Sequence, residues 1–285
     1  MKPVGELTIL ITGATDGIGL GTARELARRG AHLLLHGRNA GKLEAARDTI
    51  AAATGSDRLE THVYDFADLD QVRGLADAVA AAHPRIDVLL SNAGIGIVTL
   101  GVDGRELSVQ GHELRFAVNH LAPFLLQHLL RPQLEAAAAP GGKGAGPSRI
   151  VNLASAGQMD IDFDDVMLAR DYSGRRAYCQ SKLAMIMTSI DMAKRLDPAS
   201  VTINALHPGS MLDTKMVREG FPRVMGPVED GIEAEIHLAT AAELDGVTGE
   251  YFDRLHTARA LAQAYDAAAR ARLWKLSCEL TGIAA

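Results

Sequence analysis

Short apolar runs alternate with longer amphipathic stretches along almost the whole chain. Residues 7–11 form the first apolar run, which has the length of a buried strand, and residues 20–29 have helical periodicity and end at Gly30. The alternation then continues as far as residue 206. It predicts further strands at 32–36, 59–64, 86–91, 149–153 and 201–206, and further helices at 40–53, 69–82, 111–121, 123–138 and 176–195.

This order of elements predicts a fold class. Strands separated by helices of about 10–15 residues are typical of parallel pairing through crossover helices. The strands are apolar on both faces, as expected where helices cover both sides of a sheet. No internal repeat and no Pro- or Ser-rich linker divides the chain, and the Gly-rich loop at 140–147 is too short to be a domain boundary. We therefore predict a doubly wound, Rossmann-type α/β sheet of about seven strands in a single domain, residues 1–285.

Residues 208–247 interrupt the alternation with Pro, Gly and short helical stretches, so we expect an insertion over one end of the sheet. A Met-rich, movable lid would suit a lipophilic ligand of variable shape, whereas short helices packed on the domain would explain the same pattern. A last helix is predicted at 258–280, anchored by Trp274 and Leu276. The apolar positions of the lid are Met211, Leu212, Met216, Val217, Phe221, Val224 and Met225, among Lys215, Arg218 and Arg223.

Composition excludes several classes of protein. The 285 residues are 47% apolar and 22% charged, as in ordinary soluble globular proteins. Lys and Arg total 29 against 35 Asp and Glu, a net charge of −6 without any basic block, which argues against binding nucleic acid or an anionic membrane. No apolar run approaches the roughly 20 residues of a membrane span, and the N-terminal one is too short for a signal peptide. Two cysteines alone make neither a disulfide framework nor a zinc site, so we expect a cytoplasmic protein.

A glycine-rich turn, TGATDGIG from Thr12 to Gly19, follows the first predicted strand and opens the first predicted helix. Glycines at such a junction let the backbone approach a pyrophosphate, whose charge meets unpaired N–H groups of the helix. From this motif alone, a turn without any ligand is the alternative. The spacing Gly-x-x-x-Gly-x-Gly, preceded by Thr, resembles the turn of the short-chain dehydrogenase/reductase family. Its predicted cofactor contacts are Gly13, Thr15, Asp16, Gly17, Ile18 and Gly19.

The residues after the second predicted strand bear on the choice of cofactor. An acidic residue there would accept hydrogen bonds from an adenosine ribose and favour NAD, but the sequence has Arg38 and Asn39. A guanidinium group forms charge-assisted bonds to phosphate, so Arg38 can pair with a 2′-phosphate. Asp16 slightly weakens the case for NADP(H), because some NADP-using relatives have a basic residue at this position of the turn. We expect NADP(H), with NAD(H) as the alternative, and count Arg38 and Asn39 among the contacts.

The resemblance to the family implies further cofactor contacts. Asp65, after the third predicted strand, resembles the aspartate that binds the adenine amine. Phe66, the next residue, is counted as a further cofactor contact. SNAG at 91–94 resembles the family's Asn-Asn-Ala-Gly, with Ser91 in place of the first Asn. Thr214 resembles the threonine that reaches the nicotinamide amide and the diphosphate, one residue later than in the commonest spacing. The implied contacts beyond the first turn are Asp65, Phe66, Asn92, Ala93, Gly94, Tyr178, Lys182, Pro208, Gly209 and Thr214.

Tyr178 and Lys182 lie four residues apart, on one face of a predicted helix. Hydride transfer to a carbonyl builds an alkoxide that must be protonated, and a phenol with an ordinary pKa near 10 serves poorly at neutral pH. A nearby cation lowers that pKa, so Lys182 is expected to tune Tyr178 and to hold the nicotinamide ribose. Ser155 lies at the carboxyl end of a predicted strand, where it would orient the substrate oxygen. By the resemblance, Asn119 would support a water leading protons to Lys182.

The resemblance extends from Thr8 to Phe252 and is strongest to the retinol dehydrogenase-like branch. AYCQSKLA at 177–184, VNHLAPFLL at 118–126 and the long gap from Ser155 to Tyr178 all resemble that branch. The extra segment in this gap, residues 159–175, is expected to border the substrate.

We therefore expect an NADP(H)-dependent alcohol dehydrogenase or ketone reductase acting on a small, lipophilic carbonyl or alcohol, with Tyr178 as general acid or base. One alternative is an epimerisation through a transient ketone at the same site, and the other is a regulatory protein that senses NADPH without turnover. The resemblance implies a homodimer or homotetramer. No metal is expected, because His112, His120, His128 and His207 have no carboxylate or cysteine at ligand spacing.

Overall fold

Six strands of the sheet coincide with the predicted apolar runs, and two more follow near the end of the chain. The computed structural model describes residues 2–97, 104–138, 146–220 and 223–284. Their strands are β1 (Thr8–Ile11), β2 (His32–Gly37), β3 (Leu59–Val63), β4 (Val88–Ser91), β5 (Ser148–Leu153), β6 (Val201–His207), β7 (Tyr251–Asp253) and β8 (His256–Ala258).

The strands form one sheet in the order β3-β2-β1-β4-β5-β6-β7-β8. Every pair is parallel except β7 with β8, which is antiparallel. The chain runs outward from β1 to β3 and returns to the other side of β1 at β4. At such a switch point the carboxyl ends of the two strands leave a crevice, where ligands bind in doubly wound sheets. The predicted doubly wound α/β fold is confirmed.

Helices cover both faces of the sheet because each central strand is apolar on both sides. Leu33 and Leu35 of β2 face one layer of helices, formed by residues 17–28, 40–54 and 228–240. Leu34 faces the other layer, formed by residues 69–82, 122–129, 174–193 and 267–281. The helices are α1 (Gly17–Arg28), α2 (Ala40–Thr54), α3 (Leu69–Ala82), α4 (Leu114–Phe116), α5 (Ala122–Leu129), α6 (Arg131–Ala138), α7 (Gly174–Ala193), α8 (Lys215–Gly220), α9 (Val228–Thr240) and α10 (Ala267–Thr281).

Residues 111–138 are more divided than the two predicted helices. The short α4 passes into a single π-helical turn, Ala117–Leu121, before α5 begins, and α6 follows after Leu130. Turns of this kind interrupt the regular α-helical hydrogen bonding and are frequent at functional sites. This one carries Asn119.

The C-terminal region also differs from the single helix predicted at 258–280. Strand β8 and a 3-10 turn, Ala262–Tyr265, come first, and α10 starts only where Asp266 accepts hydrogen bonds from the first backbone N–H groups of the helix. Trp274 is buried with its ring 5.2 Å from that of Phe124 on α5, whereas Leu276 is only partly buried. Within the described ranges, no helix is both long enough and apolar enough to cross a bilayer.

The predicted lid segment, 208–247, consists of two parts with different packing. Residues up to α8 lie at the carboxyl edge of the sheet, near the start of α1. Helix α9 instead packs along α1 on a face of the sheet, where Thr22 Oγ1 donates a hydrogen bond to Glu235 Oε2 over 2.6 Å. Only the first part therefore has the position of a lid.

Candidate active site

The glycine-rich turn joins the carboxyl end of β1 to α1, at the switch point of the sheet. Thr12 Oγ1 donates a hydrogen bond to Leu90 O over 3.1 Å and accepts one from Ala93 N over 3.0 Å. Asn92 Nδ2 donates to Thr12 O and to Gly13 O, over 2.8 and 3.0 Å. The turn after β1 and the loop after β4, which were predicted separately, are thereby held together.

Two glycines of this turn have no room for a side chain. Gly13 has a φ of 69°, and a Cβ there would lie 2.8 Å from Ala93 Cα. A Cβ at Gly19 would overlap both Asn92 Nδ2 and Gly13 O. The backbone is therefore bare where α1 begins, which is the arrangement that lets N–H groups approach a phosphate.

Asp16, Thr15 and Ile18 take different positions around the turn. Asp16 is exposed and caps α1, since its Oδ1 accepts a hydrogen bond from Gly17 N over 2.7 Å. A carboxylate at this position stabilises the helix start but adds negative charge where a pyrophosphate would bind. The Thr15 side chain lies against Gly37 at the end of β2. The Ile18 side chain packs against α9, so the predicted contact of Ile18 with a cofactor would be made by its backbone.

His36 also holds the turn, and the sequence analysis gave it no role. Its Nδ1 accepts a hydrogen bond from Gly13 N over 3.4 Å and its Nε2 donates to Tyr64 O over 2.9 Å, while its backbone oxygen accepts from Ala14 N. Burial lowers the pKa of His36 to about 4, so the imidazole is neutral at neutral pH. The Phe66 ring stacks on the His36 imidazole, with ring centres 4.3 Å apart, and is buried. The predicted contact of Phe66 with a cofactor would therefore be made by its backbone.

The candidate adenosine contacts lie at the carboxyl ends of β2 and β3. Asn39 caps α2, with its Oδ1 accepting from Lys42 N over 2.9 Å, and Asp65 Oδ1 accepts from Ala67 N over 2.9 Å. Arg38 is exposed and makes no hydrogen bond or ion pair with another described residue. Its guanidinium is the cation that this edge presents to a phosphate.

Ser155, Tyr178 and Lys182 meet beyond the carboxyl end of β5. Lys182 Nζ donates a hydrogen bond to Leu153 O over 2.6 Å and lies 5.8 Å from the centre of the Tyr178 ring. A Cβ at Gly157 would lie 3.4 Å from Ser155 Oγ and 3.7 Å from Tyr178 Cε1, so the two side chains are neighbours, and Ser155 Oγ accepts from Gly157 N over 3.0 Å. The fold thus brings together three groups that are up to 27 residues apart in the sequence.

Asn119 connects this group to the loop after β4. Its Oδ1 accepts from Ile95 N over 2.8 Å, and its Nδ2 donates to Ile95 O over 3.1 Å and to Ser181 Oγ over 3.0 Å. A Cβ at Gly94 would lie 3.2 Å from Asn119 Oδ1 and 3.4 Å from Lys182 Nζ. Both amide protons are used within the protein, so Asn119 positions the loop and α7, and its water-holding role stays a prediction.

Burial controls the protonation of the site. It raises the pKa of the Tyr178 phenol above its ordinary value, and the hydrogen bond from Ser155 offsets only part of that rise. The expected lowering of this pKa by Lys182 stays a prediction, because burial has the larger effect on it in this structure. Burial also lowers the pKa of the Lys182 ammonium, to about 8. At neutral pH the site holds a protonated phenol beside a lysine that is still mostly charged.

The segment after β6 lies over the crevice. A Cβ at Gly17 would be 3.3 Å from Thr214 Cγ2, and a Cβ at Gly96 would be 2.7 Å from Met216 Cγ. Thr214 thus reaches the start of α1, and Met216 reaches the loop after β4. Pro208 and Gly209 begin this segment directly after β6. Phe221 lies outside the described residues.

The loop that carries Ser155 is held by residues that the sequence analysis missed. Tyr251 Oη of β7 and Gln158 Nε2 both donate hydrogen bonds to Ser155 O, over 3.2 and 3.0 Å. Gln263 pairs with the backbone N–H and C=O of Ile161, over 2.7 and 3.2 Å. The contacts of Tyr251 and Gln263 join residues about 100 positions apart, and no local motif marks them.

Comparison with known proteins decides the family. The family model of the short chain dehydrogenases matches residues 7–223, which cover most of the sheet and every candidate residue above. The chain belongs to the short-chain dehydrogenase family. Retinol dehydrogenase 13 from Homo sapiens is 36% identical to this dehydrogenase over 98% of the chain and 85% of its own length. The resemblance to the retinol dehydrogenase branch is thereby confirmed, and the chain is an oxidoreductase of alcohol or carbonyl groups.

Solved structures agree with this assignment. A protein from Mycobacterium paratuberculosis superposes with a TM-score of 0.77 at 32% identity, covering 97% of this dehydrogenase and 94% of that chain. A short-chain dehydrogenase from Shigella flexneri, solved in complex with NADP, superposes with a TM-score of 0.68 at 25% identity, covering 88% and 97%.

The family implies a nicotinamide nucleotide, and the geometry of the crevice fits one. The bare turn at Gly13 and Gly19 leaves space for a pyrophosphate at the start of α1, and the exposed Arg38 lies at the end of β2. Thr214 lies beside Gly17 at the start of α1, and Lys182 lies beside Gly94 in the loop after β4. The exposed carboxylate of Asp16, at the start of α1, opposes this fit.

Proposed function

We propose that this dehydrogenase interconverts a lipophilic carbonyl compound and its alcohol with NADP(H), and that Tyr178 transfers the proton. The observation that carries the proposal is the meeting of Ser155, Tyr178 and Lys182 at the carboxyl end of β5, beside a turn that fits a pyrophosphate. These residues lie where a doubly wound sheet binds its ligands.

Residues along the crevice would hold the nucleotide. The turn from Gly13 to Gly19 would bind the pyrophosphate, Thr214 and Lys182 the nicotinamide side, and Arg38 a 2′-phosphate. The nicotinamide, when bound, supplies the hydride in reduction and accepts it in oxidation. Preference for NADP(H) is supported by the unpaired cation of Arg38 and by the NADP complex of the Shigella flexneri relative. Asp16 would weaken this preference.

The proton step follows from the protonation of the site. In reduction, the carbonyl carbon gains a hydride while its oxygen takes the Tyr178 hydroxyl proton, which gives the alcohol and a phenolate. Ser155 would hydrogen-bond the same oxygen and orient it, and the Lys182 ammonium would stabilise the phenolate. Since burial raises the pKa of Tyr178, the acid form that reduction needs is present at neutral pH. Oxidation needs the phenolate and should therefore be favoured at alkaline pH.

A lipophilic substrate is supported by the surroundings of the site. Met216 lies over the loop after β4 and is partly exposed, as is Met159 in the segment that follows Ser155. Thioether side chains adapt to apolar ligands of different shape. The names of the retinol dehydrogenase relatives are consistent with a long, apolar alcohol or aldehyde, so substrates of this class are tested first.

A homodimer or homotetramer remains a prediction. Phe124 and Leu125, two apolar residues of α5, are buried inside the chain, with Trp274 of α10 packed on Phe124. They therefore give the prediction no support. Light scattering after gel filtration measures the mass directly.

The function is tested by titrating the purified protein with NADPH and with NADH, and then following oxidation of bound NADPH by a panel of apolar aldehydes and ketones. We expect tighter binding of NADPH and turnover of at least one compound. Tight binding without any turnover across chain lengths and ring systems would contradict the enzyme and favour a sensor. Failure to bind either nucleotide would contradict the proposal as a whole.

A further inference from the structure

Three side chains with metal-binding atoms meet at the amino edge of the sheet. His32 is the first residue of β2, Glu60 lies in β3, and His83 directly follows α3. Nε2 of His32 is 2.7 Å from Oε1 of Glu60, and Nε2 of His83 is 3.1 Å from Oε2 of Glu60. One donor atom from each residue can be chosen so that all three lie within 4.8 Å of one another.

Strand register and helix packing bring these residues together. Leu34 of β2 pairs with Glu60 of β3, so that His32, two residues before Leu34, presents its side chain on the same face as Glu60. Helix α3 packs on this face and ends at His83, whose backbone N donates to Val79 O over 2.8 Å. The imidazole of His83 therefore lies beside the first residues of both strands.

The cluster is separate from the proposed active site. Parallel strands carry their carboxyl ends at one edge and their amino ends at the other, and the candidate catalytic and cofactor residues gather at the carboxyl edge. None of His32, Glu60 and His83 contacts them in the described structure. The proton-transfer mechanism uses none of the three.

Two imidazole nitrogens and one carboxylate oxygen are a common protein ligand set for Zn²⁺, with water completing the coordination. The side chains of His32, Glu60 and His83 are 23%, 41% and 13% exposed, so an ion can enter from solvent although the groups are held by the fold. His62, on the same face as Glu60, adds a buried Nε2 without a hydrogen-bond partner among the described residues. The surroundings are thus rich in nitrogen donors.

We propose that His32, Glu60 and His83 bind one Zn²⁺ ion, which joins the edge strand β3 to β2 and to the end of α3. Without the ion, Glu60 accepts a hydrogen bond from each imidazole. On binding, the ion takes the place of those two Nε2 protons, and each imidazole carries its proton on Nδ1 instead. The ion would stabilise the fold, because the ligands come from three elements that separate on unfolding.

The test uses the full chain without a polyhistidine tag, freed of metal by a chelator. Equilibrium dialysis against Zn²⁺ should give one ion per chain, and Co²⁺ should give visible absorption bands that Zn²⁺ abolishes. His83→Gln and His32→Gln should each weaken binding at least about tenfold, because one of three protein ligands is lost. His256→Gln, which removes an exposed histidine of β8, should bind like the wild type.

Two further measurements exclude misleading results. NADPH affinity, measured on each variant, shows that the fold is intact and separates this proposal from the proposed function. Thermal unfolding of the wild type should move to higher temperature with Zn²⁺, and that of His83→Gln should not. The proposal is overturned if the wild type binds no Zn²⁺, or if folded His32→Gln and His83→Gln variants bind it as tightly as the wild type. In either case the cluster is a hydrogen-bonded His–Glu–His group only.

Discussion

The two edges of this sheet carry polar clusters that are built in different ways. At the carboxyl edge, Lys182 and Asn119 are fixed by backbone groups of neighbouring loops and are fully buried. At the amino edge, the side chains of His32, Glu60 and His83 hold mainly one another and remain partly exposed. Removing one group should therefore disturb chemistry at the first edge and ion binding at the second. The comparison shows that position in a doubly wound sheet, as well as residue type, determines how a polar cluster is held.

A large effect that would sharpen this contrast is expected at Lys182. Lys182→Met removes the ammonium that would stabilise the Tyr178 phenolate and hold the ribose, so turnover should fall about 100–1,000-fold. NADPH affinity should fall as well. Lys194→Met, at an exposed position at the end of α7, serves as the control. Steady-state rates and nucleotide titration check both effects, and normal values for both would remove Lys182 from the site.

Glu235 of α9 is a buried polar group on a face of the sheet, outside both clusters. It shows what burial of a carboxyl group costs in stability where we propose no function for it. Burial raises the pKa of Glu235 to about 7, and among the described residues Thr22 alone donates to its carboxylate. Since the folded pKa lies above the unfolded value, the wild type loses stability as the pH rises from about 4.5 to 7. Relative to the wild type, Glu235→Gln should gain about 2–3 kcal/mol in free energy of unfolding between pH 5 and pH 8.

Urea unfolding at the two pH values measures this change, with Glu233→Gln as the exposed control in the same helix. Equal pH dependence of Glu235→Gln and the wild type would show that Glu235 is not ionised by a pH change in this range.

A smaller effect is expected at Arg38. Arg38→Asp removes the cation proposed to bind the 2′-phosphate and adds an acceptor for a ribose, so the ratio of NADPH to NADH affinity should fall about 10–100-fold. Arg24→Asp makes the same charge change at an exposed position of α1. If fluorescence titration gives the same ratio of NADPH to NADH affinity for Arg38→Asp as for the wild type, Arg38 does not bind the 2′-phosphate.

The carboxyl edge could be predicted from the sequence because its residues come in contiguous motifs. TGATDGIG, SNAG and the pair Tyr178 and Lys182 each lie within a few residues, and their order fixes their place on the sheet. The amino-edge cluster has no such motif. His32 and Glu60 are 28 residues apart and meet only through the register of β2 with β3.

Other parts of the fold escaped prediction for related reasons. Strands β7 and β8 have three residues each, which is too short for a periodic pattern, and the π-helical turn at Asn119 looks like ordinary helix in the sequence. The raised pKa of Tyr178 also escaped, because the burial of the phenol comes from the tertiary fold and not from its neighbours in the sequence. Residue spacing shows that a lysine lies near Tyr178, but it does not show how far the phenol is shielded from water.

The central claim, proton transfer by Tyr178, is tested most directly by Tyr178→Phe. Oxidation of NADPH by the best apolar aldehyde or ketone of the panel is measured beside NADPH affinity, with Tyr64→Phe as the control that removes a hydroxyl elsewhere. We predict that Tyr178→Phe keeps NADPH affinity within about twofold and loses about 100–10,000-fold in turnover, the range of general acid–base catalysis. A Tyr178→Phe variant that turns over at the wild-type rate would contradict the claim.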